Sequence, residues 1–183
     1  MTNKTSAGSG AQFHYDGRTI ALHWASAFLV ALLWCAGQSI DWFPRGDPRV
    51  TVRSAHIVVG LTLCLVVLYR LVWRARAGRQ LPSEMRGGSQ RLATLLHKLL
   101  YVLLLGTVAL GIANVWVRGD TLFGLLAIPQ FDPGNKALVH QVEDLHALCA
   151  NTLAGAALVH ALIALAHHFW LHDGVLLRMR APR

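Results

Sequence analysis

The sequence predicts an all-α integral membrane protein, a four-helix bundle with both termini on the cytoplasmic side. Three observations predict it. Hydrophobic residues make up 54% of the 183 and charged residues only 14%, whereas a soluble domain carries about a quarter charged. Four apolar runs reach the roughly 20 residues that a helix needs to cross hydrocarbon. Lysine and arginine are divided unevenly between the connections, which orients the spans.

Residues 1–18 are polar, with Gly and Ser, and contain no apolar stretch ending in a small-residue cleavage site. They are expected to form a short cytoplasmic tail, not a signal peptide. Spans follow at 19–40, 53–73, 91–117 and 144–170, within one domain of 19–173, and a basic cytoplasmic tail occupies 174–183. Charge, proline and glycine break the runs: Asp41, Pro44, Gly46 and Pro48 after the first, and 74–88 after the second. The third connection, 118–143, is the longest and holds an apolar stretch at 121–128. That stretch is too short to span and is expected at the membrane interface. One such run could be a buried helix of a soluble protein, but four in so small a chain exclude that reading. Of the 17 Lys and Arg, five lie on one side (Arg45, Arg49, Arg53, Arg118 and Lys136) and the other twelve on the side of the termini. The bias predicts a multi-pass protein of the bacterial inner membrane with both ends inside. Trp24, Trp42, Trp73, Trp116 and Trp170 lie near span ends, as an aromatic belt does.

Several function classes drop out. The formal charge of +8 is dispersed around apolar runs, which points to topology and not to a nucleic-acid partner. Cys35, Cys64 and Cys149 sit inside those runs without CxxC spacing, as small packing residues. No CxxCH is present, so covalent c-type haem is excluded.

The histidines carry the chemistry. An ionisable side chain in hydrocarbon is costly and marks function by default. Every span has one: His23, then His56, then His97, then His146, His160, His167 and His168. A lone histidine is more often a hydrogen-bonded packing residue, but the arrangement argues otherwise. His146 and His160 are fourteen residues apart, so they return to within about 40° of one face and lie about 21 Å apart along the axis. His167 continues that stripe. His56 and His146 lie just inside the outer ends of their spans, at one level. His23 and His160 can meet at a second, cytoplasmic-side level. Two imidazoles on opposing helices can hold one haem iron from both faces, which leaves no open position and favours electron transfer. Geometry leaves open whether His23 or His97 serves the inner level. His97 and His167 can instead line a site for a small redox partner dissolved in the membrane, or snorkel to the interface. Gly60, Gly106, Gly111, and 154–157 with Gly155, make room for a flat macrocycle or simply for close helix packing. His14, His140 and His172 lie outside the spans and are expected to be solvated.

In these residues the chain resembles the prokaryotic cytochrome b561 family, the four-helix di-haem type related to hydrogenase b-subunits. The marks are Leu22-His23-Trp24, Phe43-Pro44-Arg45 with Asp47, His56 with Gly60, His97, and Arg118-Gly119-Asp120. They continue through His146 with Ala150-Asn151, His160, Ala166-His167-His168, and Leu176-Leu177-Arg178-Met179. The resemblance implies that His23 and His160 hold the cytoplasmic-side haem b and His56 and His146 the periplasmic-side haem b, both noncovalently. It implies that His97 and His167 face a quinone site.

Compact members of that family are superoxide oxidases that reduce ubiquinone, and the expected function is the same. The resemblance equally allows a haem b relay subunit serving a partner dehydrogenase or hydrogenase. A non-redox metal transporter is a third reading, weakened because no Asp or Glu accompanies the histidines in the interior of the spans. Steering superoxide favours positive surface. The five outward basic residues face Asp41, Asp47, Asp120, Asp132, Glu143 and Asp144, so the expectation turns on whether the bases cluster.

Overall fold

The computed structural model describes residues 14–78 and 88–180. Most of the N-terminal tail, the connection holding Arg79 and Arg86, and the last three residues lie outside the described residues. Four helices dominate: α1 (Gly17–Ser39), α2 (Asp47–Arg76), α3 (Gly88–Arg118) and α4 (Lys136–Phe169). All four are long and apolar enough to cross a membrane.

Local chemistry explains where they begin. The Asp16 carboxylate caps α1, accepting from the Thr19 N–H at 2.9 Å and the Thr19 hydroxyl at 2.6 Å. Pro48 stands in the first turn of α2, where its missing N–H costs nothing. Asp47 at the start and Arg74 and Arg76 at the end suit the helix dipole. Asn135 caps α4 by accepting from the Leu138 N–H at 3.0 Å.

That cap corrects one boundary. The sequence places the fourth span's start at 144, but α4 begins at Lys136. His140, Glu143 and Asp144 end the apolar run without ending the helix, because polar residues outside hydrocarbon are compatible with helical backbone. Similarly α2 starts at Asp47, ahead of the expected 53.

The stretch at 121–128 folds into a small antiparallel hairpin, β1 (Thr121–Leu122) paired with β2 (Leu126–Ala127). Phe123 and Gly124 turn it with positive φ of 51° and 70°. Ser54, fully buried on α2, pins this hairpin: its hydroxyl accepts from the Phe123 N–H at 2.8 Å and lies 3.2 Å from the Thr121 carbonyl.

At the other end the two terminal segments meet. The Tyr15 N–H donates to the Arg178 carbonyl at 3.1 Å, and the Trp24 indole donates to the Met179 carbonyl at 2.9 Å. His14 was expected to be solvated, but it donates to the Leu177 carbonyl at 2.8 Å. His140 and His172 are exposed.

The helices pack as two antiparallel pairs, α1 with α2 and α3 with α4, with sparser contact between pairs. Their inward faces share one register. Each helix carries three positions seven residues apart that face its neighbours: His23, Val30 and Gly37; His56, Leu63 and Arg70; His97, Leu104 and Gly111; His146, Leu153 and His160. Seven residues return a helix nearly to the same face. Because neighbours run antiparallel, three layers result. Leu63, Leu104 and Leu153 are buried in the middle with Val67, and Val30 packs against them. A layer near the terminal segments holds His23, Arg70, His97 and His160. A far layer holds Gly37, His56, Gly111 and His146.

Replacing Ser54 with Ala strips the Phe123 N–H of its acceptor, at a cost of about 1–3 kcal/mol. Thermal unfolding in detergent should show Tm falling by roughly 2–4 °C per kcal/mol. An unchanged Tm would show that the hairpin is not held through this hydroxyl.

Candidate functional site

In the far layer the rings of His56 and His146 face one another from α2 and α4, centroids 6.4 Å apart and planes at 84°. His146 is aimed by the backbone: its Nδ1 lies 3.1 Å from the Thr107 carbonyl on α3. A carbonyl only accepts, so Nδ1 carries the proton and Nε2 keeps its lone pair for a ligand. The His56 Nδ1 is buried without a hydrogen-bond partner.

Two glycines make space for these rings. A Cβ added at Gly37 would sit 3.4 Å from the His56 Cε1, and one at Gly111 would sit 3.2 Å from the His146 Cε1. Gly37 is not among the glycines that the sequence singles out, and of those only Gly111 touches a ring: Gly60, Gly106 and Gly155 have no atom that close.

One turn beyond this pair, Arg53 and Arg118 share Asp120 at 3.6 and 3.4 Å, and Arg118 also pairs with Glu143. Burial pushes the Asp120 carboxyl above its ordinary value, against the opposing pull of Arg118 and Arg53. Arg49 pairs with Asp41 at 3.2 Å. Of the five basic residues of this end, Arg49, Arg53 and Arg118 are thus paired with acids.

In the near layer His23 and His160 repeat the far spacing, with centroids 6.4 Å apart and planes at 70°. His97 comes closer to His160, at 5.2 Å and 72°, and its Nδ1 donates to the Ala93 carbonyl one turn back at 2.7 Å. His167 hydrogen-bonds through Nδ1 to the Asp173 carboxylate. The structure therefore brings His97 to His160 rather than to His167, and gives His167 an acidic partner that the sequence reading missed. Arg70, also missed as a site residue, reaches in from α2 to lie 3.0 Å from the His23 Nδ1, with its guanidinium over the Tyr101 ring.

The family model described as prokaryotic cytochrome b561 matches residues 14–181. The chain belongs to the prokaryotic cytochrome b561 family.

Similar proteins include cytochrome b562 of Cereibacter sphaeroides, 32% identical over 174 residues, covering 92% of this chain and 96% of that one. The probable superoxide oxidase CybB of Yersinia pestis is 29% identical over 171 residues, 90% of this chain and 94% of that one. Cytochrome b561 homolog 1 of Escherichia coli (strain K12) is 28% identical over 168 residues, 90% of this chain and 95% of that one. As a prokaryotic cytochrome b561 the chain is a multi-pass electron-transfer protein of the bacterial inner membrane, and the family implies haem b.

The residues present fit that group. An imidazole nitrogen binds a first-row metal such as zinc at about 2.0–2.1 Å, and the ring centre lies roughly 1.1 Å behind it, so two rings flanking one metal ion have centroids up to roughly 6.4 Å apart. Both His56–His146 and His23–His160 have that separation, while His97–His160 is too short for it. Among the described residues no three His, Cys, Asp or Glu side chains converge as a metal cage would require. Pairing suits a planar cofactor that supplies its own remaining ligands.

Gly111→Val should push the His146 ring out of line and lower haem absorbance per chain. Gly106→Ala, which meets open space, should leave it unchanged. Equal spectra for the two variants would deny Gly111 its role in seating His146.

Proposed function

We propose that the chain holds two noncovalent haem b groups, one between His56 and His146 and one between His23 and His160. It uses them to oxidise superoxide on the periplasmic side and reduce ubiquinone near the cytoplasmic side. The observation that carries this reading is the equal 6.4 Å spacing of the two pairs, on opposite sides of one leucine layer. The excess of Lys and Arg at the end of the terminal segments supports that end being cytoplasmic. The superoxide half of the reading draws on the relative named probable superoxide oxidase.

Bound there, haem b supplies a one-electron carrier at each depth. Two superoxide anions lose one electron each and leave as dioxygen; one ubiquinone gains both electrons and two protons to become ubiquinol. The chain's own residues supply order and protons. Thr107 fixes His146 in the tautomer that presents Nε2. His97, tied through Nδ1 to Ala93 and packed on His160, keeps its Nε2 for a quinone carbonyl. His167 rests on Asp173, so its Nε2 is likewise available for hydrogen bonding at that end of the bundle.

One observation favours a second reading. Arg53, Arg118 and Arg49 are engaged by acids, which takes three of this end's five cations out of a free positive patch. A partner dehydrogenase or hydrogenase subunit would be the donor in that case.

With purified protein in vesicles, a superoxide source should convert ubiquinone to ubiquinol in the 2:1 ratio above. His97→Ala and His167→Ala should each slow it at least about tenfold, since a hydrogen bond to a developing charge contributes about 1.5–3 kcal/mol, while keeping both haem signals. No superoxide-dependent ubiquinol, with normal reduction by a co-purifying partner, would favour the second reading. If His97→Ala loses the inner haem and His23→Ala keeps it, the roles of those two histidines are exchanged.

A further inference from the structure

We propose that Arg70, together with Tyr101, receives the carboxylate groups of the haem held between His23 and His160; the inference rests on the two-haem reading above. Arg70 lies fourteen residues beyond His56 on the inward face of α2, in the layer of His23, His97 and His160. A cation in this position is costly without an anion. The far end shows the contrast: Arg53 and Arg118 have Asp120 and Glu143. Among the described residues Arg70 forms no ion pair, and its polar side-chain neighbours are both uncharged: the His23 Nδ1 at 3.0 Å and the Tyr101 hydroxyl.

That contact and metal binding by His23 exclude each other. A neutral imidazole that gives Nε2 to a metal carries its proton on Nδ1 and cannot accept there. Ligation through Nε2 therefore releases Arg70 from its acceptor. Tyr101, whose ring lies under the guanidinium, has a buried hydroxyl with no acceptor for its proton. A forked cation with no anion and a phenol whose proton has no acceptor, side by side at the ring pair, are complementary to a carboxylate. Haem b carries two. A lipid phosphate offers similar chemistry, and the experiment separates the two sources.

The full-length protein, stripped of haem, is refilled with protohaem or with protohaem dimethyl ester, whose carboxylates are blocked. Transfer of haem to excess apomyoglobin is timed for wild type, Arg70→Gln, Arg70→Lys and Tyr101→Phe, the relevant haem being the signal missing in His160→Ala. Arg70→Gln should lose protohaem from that site about tenfold faster than wild type. Arg70→Lys should fall between, and Tyr101→Phe, the mildest change in shape, should accelerate loss by a smaller factor. With the ester, all four proteins should lose haem at one rate. An unchanged rate for protohaem, or equal acceleration for both haems as a lipid or packing role would give, overturns the proposal. A wild-type chain that takes up fewer than two haems contradicts the underlying reading as well.

Discussion

The arrangement depends on one constraint: a polar side chain inside a membrane-spanning helix must face the bundle interior and find a partner there. A helix returns to nearly the same face after seven residues, so interior positions on a straight helix fall at seven-residue intervals. In this chain all four helices use that interval in register. The outcome is a stack of a far imidazole pair, a leucine layer and a near imidazole pair. Substituting Leu63, Leu104 or Leu153 with a polar residue would disturb the separation of the two levels, while the glycines facing His56 and His146 give the far rings their room.

The two levels are built differently. Far from the terminal segments, the helices that do not contribute a ring contribute Gly37 and Gly111, and the charges one turn beyond are balanced among Arg53, Arg118, Asp120 and Glu143. Near the terminal segments, the corresponding positions are Arg70 and His97, with Tyr101 and the His167–Asp173 pair close in sequence to that layer. Space and paired charge suit an end where a small donor or a partner meets the haem edge. Exchangeable protons and donor groups suit the proposed reduction of a quinone at this end, which would take up protons along with electrons. The bundle is nearly symmetric in its packing and asymmetric in its chemistry, an asymmetry that the proposed direction of electron flow would use.

Much of this was legible in the sequence. Apolar run length alone located four spans, because hydrocarbon imposes a minimum length whatever the packing. The fourteen-residue interval of His146 and His160 located two depths. The start of α4 was not legible, since hydropathy records where hydrocarbon ends and not where the helix does; the Asn135 cap marks the true start. His23 and His97 could not be ranked by depth because they occupy the same layer, and ring separations of 6.4 and 5.2 Å to His160 distinguish them. Arg70 entered the sequence reading only as one more basic residue for orientation. Its position fourteen residues after His56 was the signal, visible once the interval seen on α4 is sought on α2. Thr107 acts through its backbone carbonyl, which no side-chain pattern reveals.

In the proposed function, two imidazole pairs at two depths hold two haems. Counting haem per chain by the pyridine haemochrome method in wild type, His146→Ala and His160→Ala tests it directly. The arrangement predicts two low-spin haems in wild type, with each variant losing one haem or converting it to high spin while the other stays intact. One haem in wild type, or the same single haem altered by both substitutions, would contradict it.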